Sequence, residues 1–155
     1  VAFIMNINLF TQNIAEVKTT YSHHVKASDR PKISSSQTAY EICKLVFPET
    51  GYREYFYILM MDRSNNLLGV NQVSMGGISG TIADPKVIFQ TALKSNACSL
   101  ILAHNHPSGN TSPSEADIKL TKKLKSAGEF LDLPILDHII VSDDSYKSFA
   151  DEGLI

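Results

Sequence analysis

Residues 97–103 read Ala-Cys-Ser-Leu-Ile-Leu-Ala and carry no charge. So short an apolar run suits a strand rather than a helix, and without polar alternation both of its faces must be covered. That requirement admits few folds, because the chain must then supply helices to both sides of a sheet.

The neighbouring segments supply them. Ile14 to Val25 mixes β-branched and aromatic residues in partial alternation and predicts a first strand. Ser34 to Thr38 offers caps, and Ala39, Ile42, Cys43, Val46 and Phe47 recur at helical spacing until Pro48. Glu54 to Asp62 is a nearly continuous apolar run, Ser64-Asn65-Asn66 a turn, and Leu67 to Met75 the returning strand of a hairpin. Asp84-Pro85 opens a helix to about Ser95, with Val87, Ile88, Ala92 and Leu93 assigned to its inner face. A helix to about Gly128 follows the buried strand, with Ile118, Leu124 and Ala127 inside. A strand over Pro134 to Val141 comes next, then a terminal turn over Tyr146 to Ala150. The order β-α-β-β-α-β-α-β predicts an α/β fold, one mixed sheet flanked by helices, in a single domain over residues 1–155 with residues 1–8 disordered or extraneous.

Charge and cysteines narrow the function classes. The formal net charge is −2, from 14 basic and 16 acidic residues, so the total offers no electrostatic grip on nucleic acid. Cys43 and Cys98 form no C-x-x-C pair and are too few for a disulfide framework, which points to buried reduced thiols and the cytoplasm. The opening VAFIMNINLF is too short to span a bilayer and lacks the basic start of a secretory signal, so no membrane role is expected.

The stretch after the buried strand, HNHPSGNTSPSEAD over residues 104–117, holds the chemistry. It is either an ordinary strand-loop-helix junction or the mouth of a metal site. The ordinary reading makes Ser112 an N-cap, Pro113 the first helical residue and Glu115 the partner in a capping box. It leaves Ser114 and Asp117 unexplained, although three apart they share a helix face in the first turns, where backbone dipoles favour negative charge. His104 and His106, two apart on an extended segment, turn both imidazoles to one side at a strand end, where α/β sheets place ligands. Two neutral imidazoles and a carboxylate make a three-ligand set for zinc that leaves a fourth position for water.

H-x-H, seven residues, Ser, two residues and Asp resembles the zinc motif of the JAMM (MPN-plus) metalloproteases, with His104, His106, Ser114 and Asp117 at every matching position. The wider text, with LDHIIV at 136–141 and SFADEG at 148–153, resembles more closely the bacterial RadC family, named for DNA repair. The resemblance spans roughly Ile14 to the C-terminus. It implies a deaminase-like, three-layer α/β fold of the JAMM/MPN kind, with zinc held by His104, His106 and Asp117. It also implies a glutamate acting on the metal-bound water. Glu54 stands in the matching place, an acid heading a run that should be buried; the ordinary reading is an exposed strand-end carboxylate, and Glu49 after Pro48 is a weaker rival. Full-length RadC proteins typically carry an N-terminal helix-hairpin-helix region that could touch DNA. Residues 1–50 lack the glycine hairpins of such a module, so a DNA partner is only weakly implied.

Four further features are assigned lesser roles. His138 is expected to be structural, and Asp137 is kept as a candidate carboxylate behind the zinc-bound histidines. His23 and His24 are adjacent and point to opposite faces of a strand, which disfavours joint ligation. Gly76, Gly77 and Gly80 form a flexible loop but no phosphate loop, since no Lys-Ser/Thr follows.

The expected activity is therefore zinc-dependent hydrolysis of a peptide or isopeptide bond in an unidentified peptide or protein. Glu54 would take the water's proton, and Ser114 would hydrogen-bond the oxyanion. The alternative is a non-catalytic module of DNA metabolism with a structural zinc site. A nuclease is disfavoured by a single metal and no basic lining, and a deaminase by the absence of H-x-E with P-C-x-x-C.

Overall fold

A computed structural model describes residues 24–76 and 83–155. The strand expected over Ile14–Val25 falls almost wholly outside the described residues, as do residues 1–8, His23, Gly77 and Gly80. His24 and Val25, which are described, are exposed and not part of a strand.

After a 3-10 turn at Ala27–Asp29, helix α1 (Ser36–Val46) starts at an N-cap whose Ser35 hydroxyl accepts the Thr38 N–H. Strands β1 (Tyr55–Met61) and β2 (Leu67–Met75) form the expected hairpin. Helix α2 (Pro85–Lys94) is capped by Asp84, with Pro85 in the first turn where its missing N–H costs nothing. Strand β3 (Ser99–Asn105) leads to α3 (Glu115–Phe130), which crosses back to β4 (Ile135–Val141). The chain then adds a short strand, β5 (Tyr146–Ser148), where only a turn was predicted. Three residues are too few to show a period, and β5 exists because Val141, Ile140 and Ile139 offer it an antiparallel edge.

The sheet runs β2-β1-β3-β4-β5. β3 pairs antiparallel with β1 and parallel with β4, so the sheet is mixed, and the one parallel pair is the one joined by a helix. All seven residues of β3 are buried, as the uncharged run requires.

Alternation divides the core in two. Tyr57, Leu59, Met61, Ile101, Ala103 and Ile139 pack with Ala39, Tyr40 and Cys43 of α1. Phe56, Ile58, Met60, Leu100 and Leu102 pack on the other side with Ile88, Phe89 and Ala92 of α2 and with Leu124 of α3. The result is three layers, helix, sheet, helices. On α2 the inward face is Ile88, Phe89 and Ala92; Val87 and Leu93, expected inside, are 39% and 54% exposed. Ile88, Phe89 and Ala92 form one apolar stripe, and Val87 and Leu93 fall to its flanks.

Among the described residues no helix is long and apolar enough to cross a membrane.

Candidate metal centre

β3 ends with His104 and Asn105, and α3 begins ten residues later on the same edge of the sheet. His104 is still in the ladder, opposite Phe56 of β1 and Ile140 of β4, and its ring lies 6.0 Å from that of Phe56 on the α2/α3 side. His106 lies just beyond the strand, and a turn closed by Gly109 N–H to His106 O brings the chain round to α3. Gly109 has φ +75°, a left-handed conformation that suits glycine at this turn.

Helix α3 is capped two residues later than the sequence implies. The N-cap is Ser114, not Ser112, and the capping box closes with Asp117, not Glu115. Asp117 Oδ2 accepts both the Ser114 backbone N–H at 2.7 Å and the Ser114 hydroxyl at 2.6 Å, and Ser114 Oγ accepts the Asp117 N–H at 3.1 Å. Ser112 N–H instead donates to Asn110 Oδ1, which keeps that segment a turn and leaves Pro113 outside the helix. Capping thus accounts for the serine and aspartate that it was expected to leave over. It also aims Asp117, because the free face of the same carboxylate meets the histidines.

His104 Nε2 is 3.2 Å from Asp117 Oδ1, His106 Nε2 is 3.4 Å from Asp117 Oδ2, and the two Nε2 atoms are 2.9 Å apart. One ligand atom from each of these residues lies within 4.8 Å of the others, so the three could hold a metal ion. Tetrahedral zinc with bonds near 2.0–2.1 Å has ligands about 3.3 Å apart. The three contacts bracket that value.

The hydrogen bonds behind the rings decide where the protons lie. A carbonyl only accepts, so the Thr121 hydroxyl, 2.6 Å from Asp117 O, spends its one hydrogen there. Thr121 Oγ1 must therefore accept from His138 Nδ1, 2.6 Å away. His138 is fully buried, and burial first, then the His104 charge, hold its pKa well below the ordinary histidine value. It stays neutral, and its Nε2 accepts from His104 Nδ1 at 2.7 Å. His106 Nδ1 in turn donates to Asn110 O at 2.6 Å. In its neutral form each ring then points a bare Nε2 lone pair at the same spot, beside a carboxylate. Three electron-rich atoms converging in this way need a cation between them, either a proton or a metal ion.

The titration shifts express the same need. Burial alone would raise the Asp117 pKa, but hydrogen bonds to His104 and His106 and the His104 charge outweigh it and hold the carboxyl well below the usual range. Hydrogen bonding to Asp117 raises His106, against the effect of burial.

Glu54 immediately precedes β1. Continuing the Phe56–His104 register two residues places it across from His106, and its charge is among the groups that raise the His106 pKa. Glu49 is exposed in the loop after α1. Asp137 and His138 exchange their expected parts. The Asp137 carboxylate is taken by the Ser148 hydroxyl and by the Ala150 and His138 N–H groups, so it holds the C-terminal turn rather than a histidine ring. His138 is the residue behind His104. The LDHIIV text held the signal, since alternation on β4 turns neighbouring Asp137 and His138 to opposite faces. Thr121 carried none, for its part depends on the angle at which α3 meets β4. A cavity of about 670 Å³ opens where β3 begins, at the other end of the sheet; Arg63, Cys98 and Pro134 help line it, and no residue of the metal centre does.

Residues 33–154 match the model of the RadC-like JAB domain family. The chain is 46% identical over 123 residues to a UPF0758 protein of Flavobacterium johnsoniae, covering 79% of this chain and 53% of that protein. A UPF0758 protein of Desulforudis audaxviator is 38% identical over 144 residues, 90% of this chain and 63% of that protein. The chain spans about half the length of the curated relatives it matches.

Proposed function

The chain belongs to the RadC-like JAB domain family, and from that membership we propose that it is a zinc-dependent hydrolase of the JAMM type, cutting a peptide or isopeptide bond. The observation that carries the proposal is the convergence of two bare Nε2 atoms and one carboxylate at the open end of β3. His104, His106 and Asp117 would hold the ion. A zinc ion held there would supply water acidified to a pKa of about 7 and a polarising charge for a carbonyl.

The remaining work falls to the chain's own groups. Glu54, across from His106, accepts a proton from the attacking water and returns it to the leaving amine. Ser114 orients Asp117 through its hydroxyl. Turned outward, the same hydroxyl donates to the oxyanion of the tetrahedral intermediate, a contribution of roughly 3 kcal/mol where such donors have been removed. His138 and Thr121 fix the tautomer of His104. Cys43 and Cys98 are both free thiols, in keeping with a reducing compartment, and we place the reaction in the cytoplasm.

The test is a screen of peptide-linked, isopeptide-linked and single-stranded DNA substrates against the zinc-loaded, the chelated and the Glu54→Gln protein. Cleavage of an amide bond that chelator abolishes and Glu54→Gln lowers about a hundredfold supports the proposal. Cleavage that survives chelation contradicts it. Tight DNA binding with a steep salt dependence, and no chelator-sensitive cleavage, favours a DNA-metabolism accessory instead.

A further inference from the structure

Asn105 stands between the two histidines and takes no part in the metal centre. It is 0% exposed, and alternation turns it to the opposite side of the strand from them. A wholly buried amide must find partners, and this one finds all of them between Thr50 and Tyr55. Its Oδ1 accepts the Tyr55 N–H at 2.8 Å. Its Nδ2 donates to Thr50 O at 2.6 Å and to Arg53 O at 2.7 Å. Arg53 O and Tyr55 N are the backbone atoms on either side of Glu54. The Glu54 carbonyl is itself held, accepting the Gly76 N–H at 2.8 Å.

The loop at residues 50–54 has no ladder of its own to fix it. A glutamate there would ordinarily sample many backbone states, whereas a proton acceptor must stay within hydrogen-bond reach of its substrate. We infer that Asn105 is a positioning residue: it grips the backbone on both sides of Glu54 and sets that carboxylate opposite His106. One dipeptide, His104-Asn105, thus ties both halves of the site to a single strand end, the ring facing the metal ligands and the amide facing the proton acceptor. This inference rests on the reading of Glu54 as the proton acceptor.

The test uses the zinc-loaded full chain with p-nitrophenyl acetate as probe, following the zinc-dependent part of the rate. Glu54→Gln is expected to lower kcat/KM about a hundredfold. Asn105→Ala and Asn105→Ser are expected to lower it about tenfold or more, and the Glu54→Gln/Asn105→Ala pair to be no slower than Glu54→Gln alone, because both act through one carboxylate. Zinc affinity by chelator competition should stay within about threefold of the parent in both Asn105 variants. Multiplying effects, or a zinc affinity that falls in step with the rate, overturn the inference. If Glu54→Gln leaves the rate unchanged, the reading of Glu54 fails first. In the unmodified protein the Tyr55 amide should exchange with solvent as slowly as the amides inside β1. Fast exchange there overturns the grip however the variants fold.

Discussion

The properties of the site are decided by single hydrogens. Thr121 gives its only hydroxyl hydrogen to Asp117 O, and the order of protons through His138 to His104 follows from that. Removing His138 leaves the His104 Nδ1–H without its partner, so His138→Ala should weaken zinc binding about 10- to 100-fold, as measured by competition with a chromophoric chelator. Thr121→Val should act in the same direction. The pH dependence of binding is set by His106, whose pKa hydrogen bonding to Asp117 raises above 6.5. Zinc needs the neutral ring, so affinity should rise with pH up to the raised value and fall as pH drops through it. Asp117, held far lower, adds no proton to this exchange. Calorimetry in buffers of different ionisation enthalpy should show proton uptake by buffer approaching one per ion near pH 6. No proton release at any pH from 6 to 8 would contradict this ordering. That His104 and His106 turn to one side was legible from their spacing, because residues two apart on an extended segment share a side. The donors behind them were not, since they come from α3 and β4.

At the scale of elements, β1 to β4 were legible, β5 was not, and the helix start before Asp117 was misplaced. Ser112-Pro113-Ser114-Glu115 contains two serines able to cap, and local preference chooses the one that puts proline at the first helical position. The structure chooses Ser114, because the Asp117 carboxylate can then satisfy the cap and face the histidines at once. Ser114→Ala should therefore cost about 1 kcal/mol of stability through the lost cap, read by chemical denaturation of the chelated protein, and lower zinc affinity as well. The other end of α3 carries a different constraint. A Cβ on Gly128 would stand 2.4 Å from Leu133 O, a backbone atom that cannot swing away. Glycine to alanine in a helix interior ordinarily stabilises by about 1 kcal/mol. Here Gly128→Ala should instead destabilise, by about 1–3 kcal/mol as for overpacked sites; a melting temperature equal to or above the parent's would contradict the packing described. On α1, Cys43 is 0% exposed and burial pushes its thiol up to about 12. At pH 8 a disulfide reagent should titrate Cys98 in the native protein and both thiols only after denaturation.

For the whole molecule, the uncharged run at residues 97–103 was enough to demand covering layers on both sides, and the sheet is covered on both. What escaped was the handing of work between layers. The three residues that could hold a metal ion sit at the strand end on the α2/α3 side, while Asn105 faces the far side, and no spacing in one segment shows which residues of another will meet it. Because β3, the loop after it and the crossover helix α3 supply the three residues that could hold a metal ion, metal binding should be linked to global stability. At a zinc concentration a hundred times its Kd the native state should gain about 2.7 kcal/mol, or roughly 5–11 °C in melting temperature for a chain of this size. Whether two imidazoles and one carboxylate share a single divalent ion is read by X-ray absorption at the zinc edge of the loaded protein, beside the metal content of His104→Ala and Asp117→Ala. Two histidine nitrogens per zinc, a coordination sphere completed by oxygen, one zinc per parent chain and a loss of bound zinc in both variants are expected. A spectrum with sulfur ligands, or variants that retain zinc as the parent does, would contradict it.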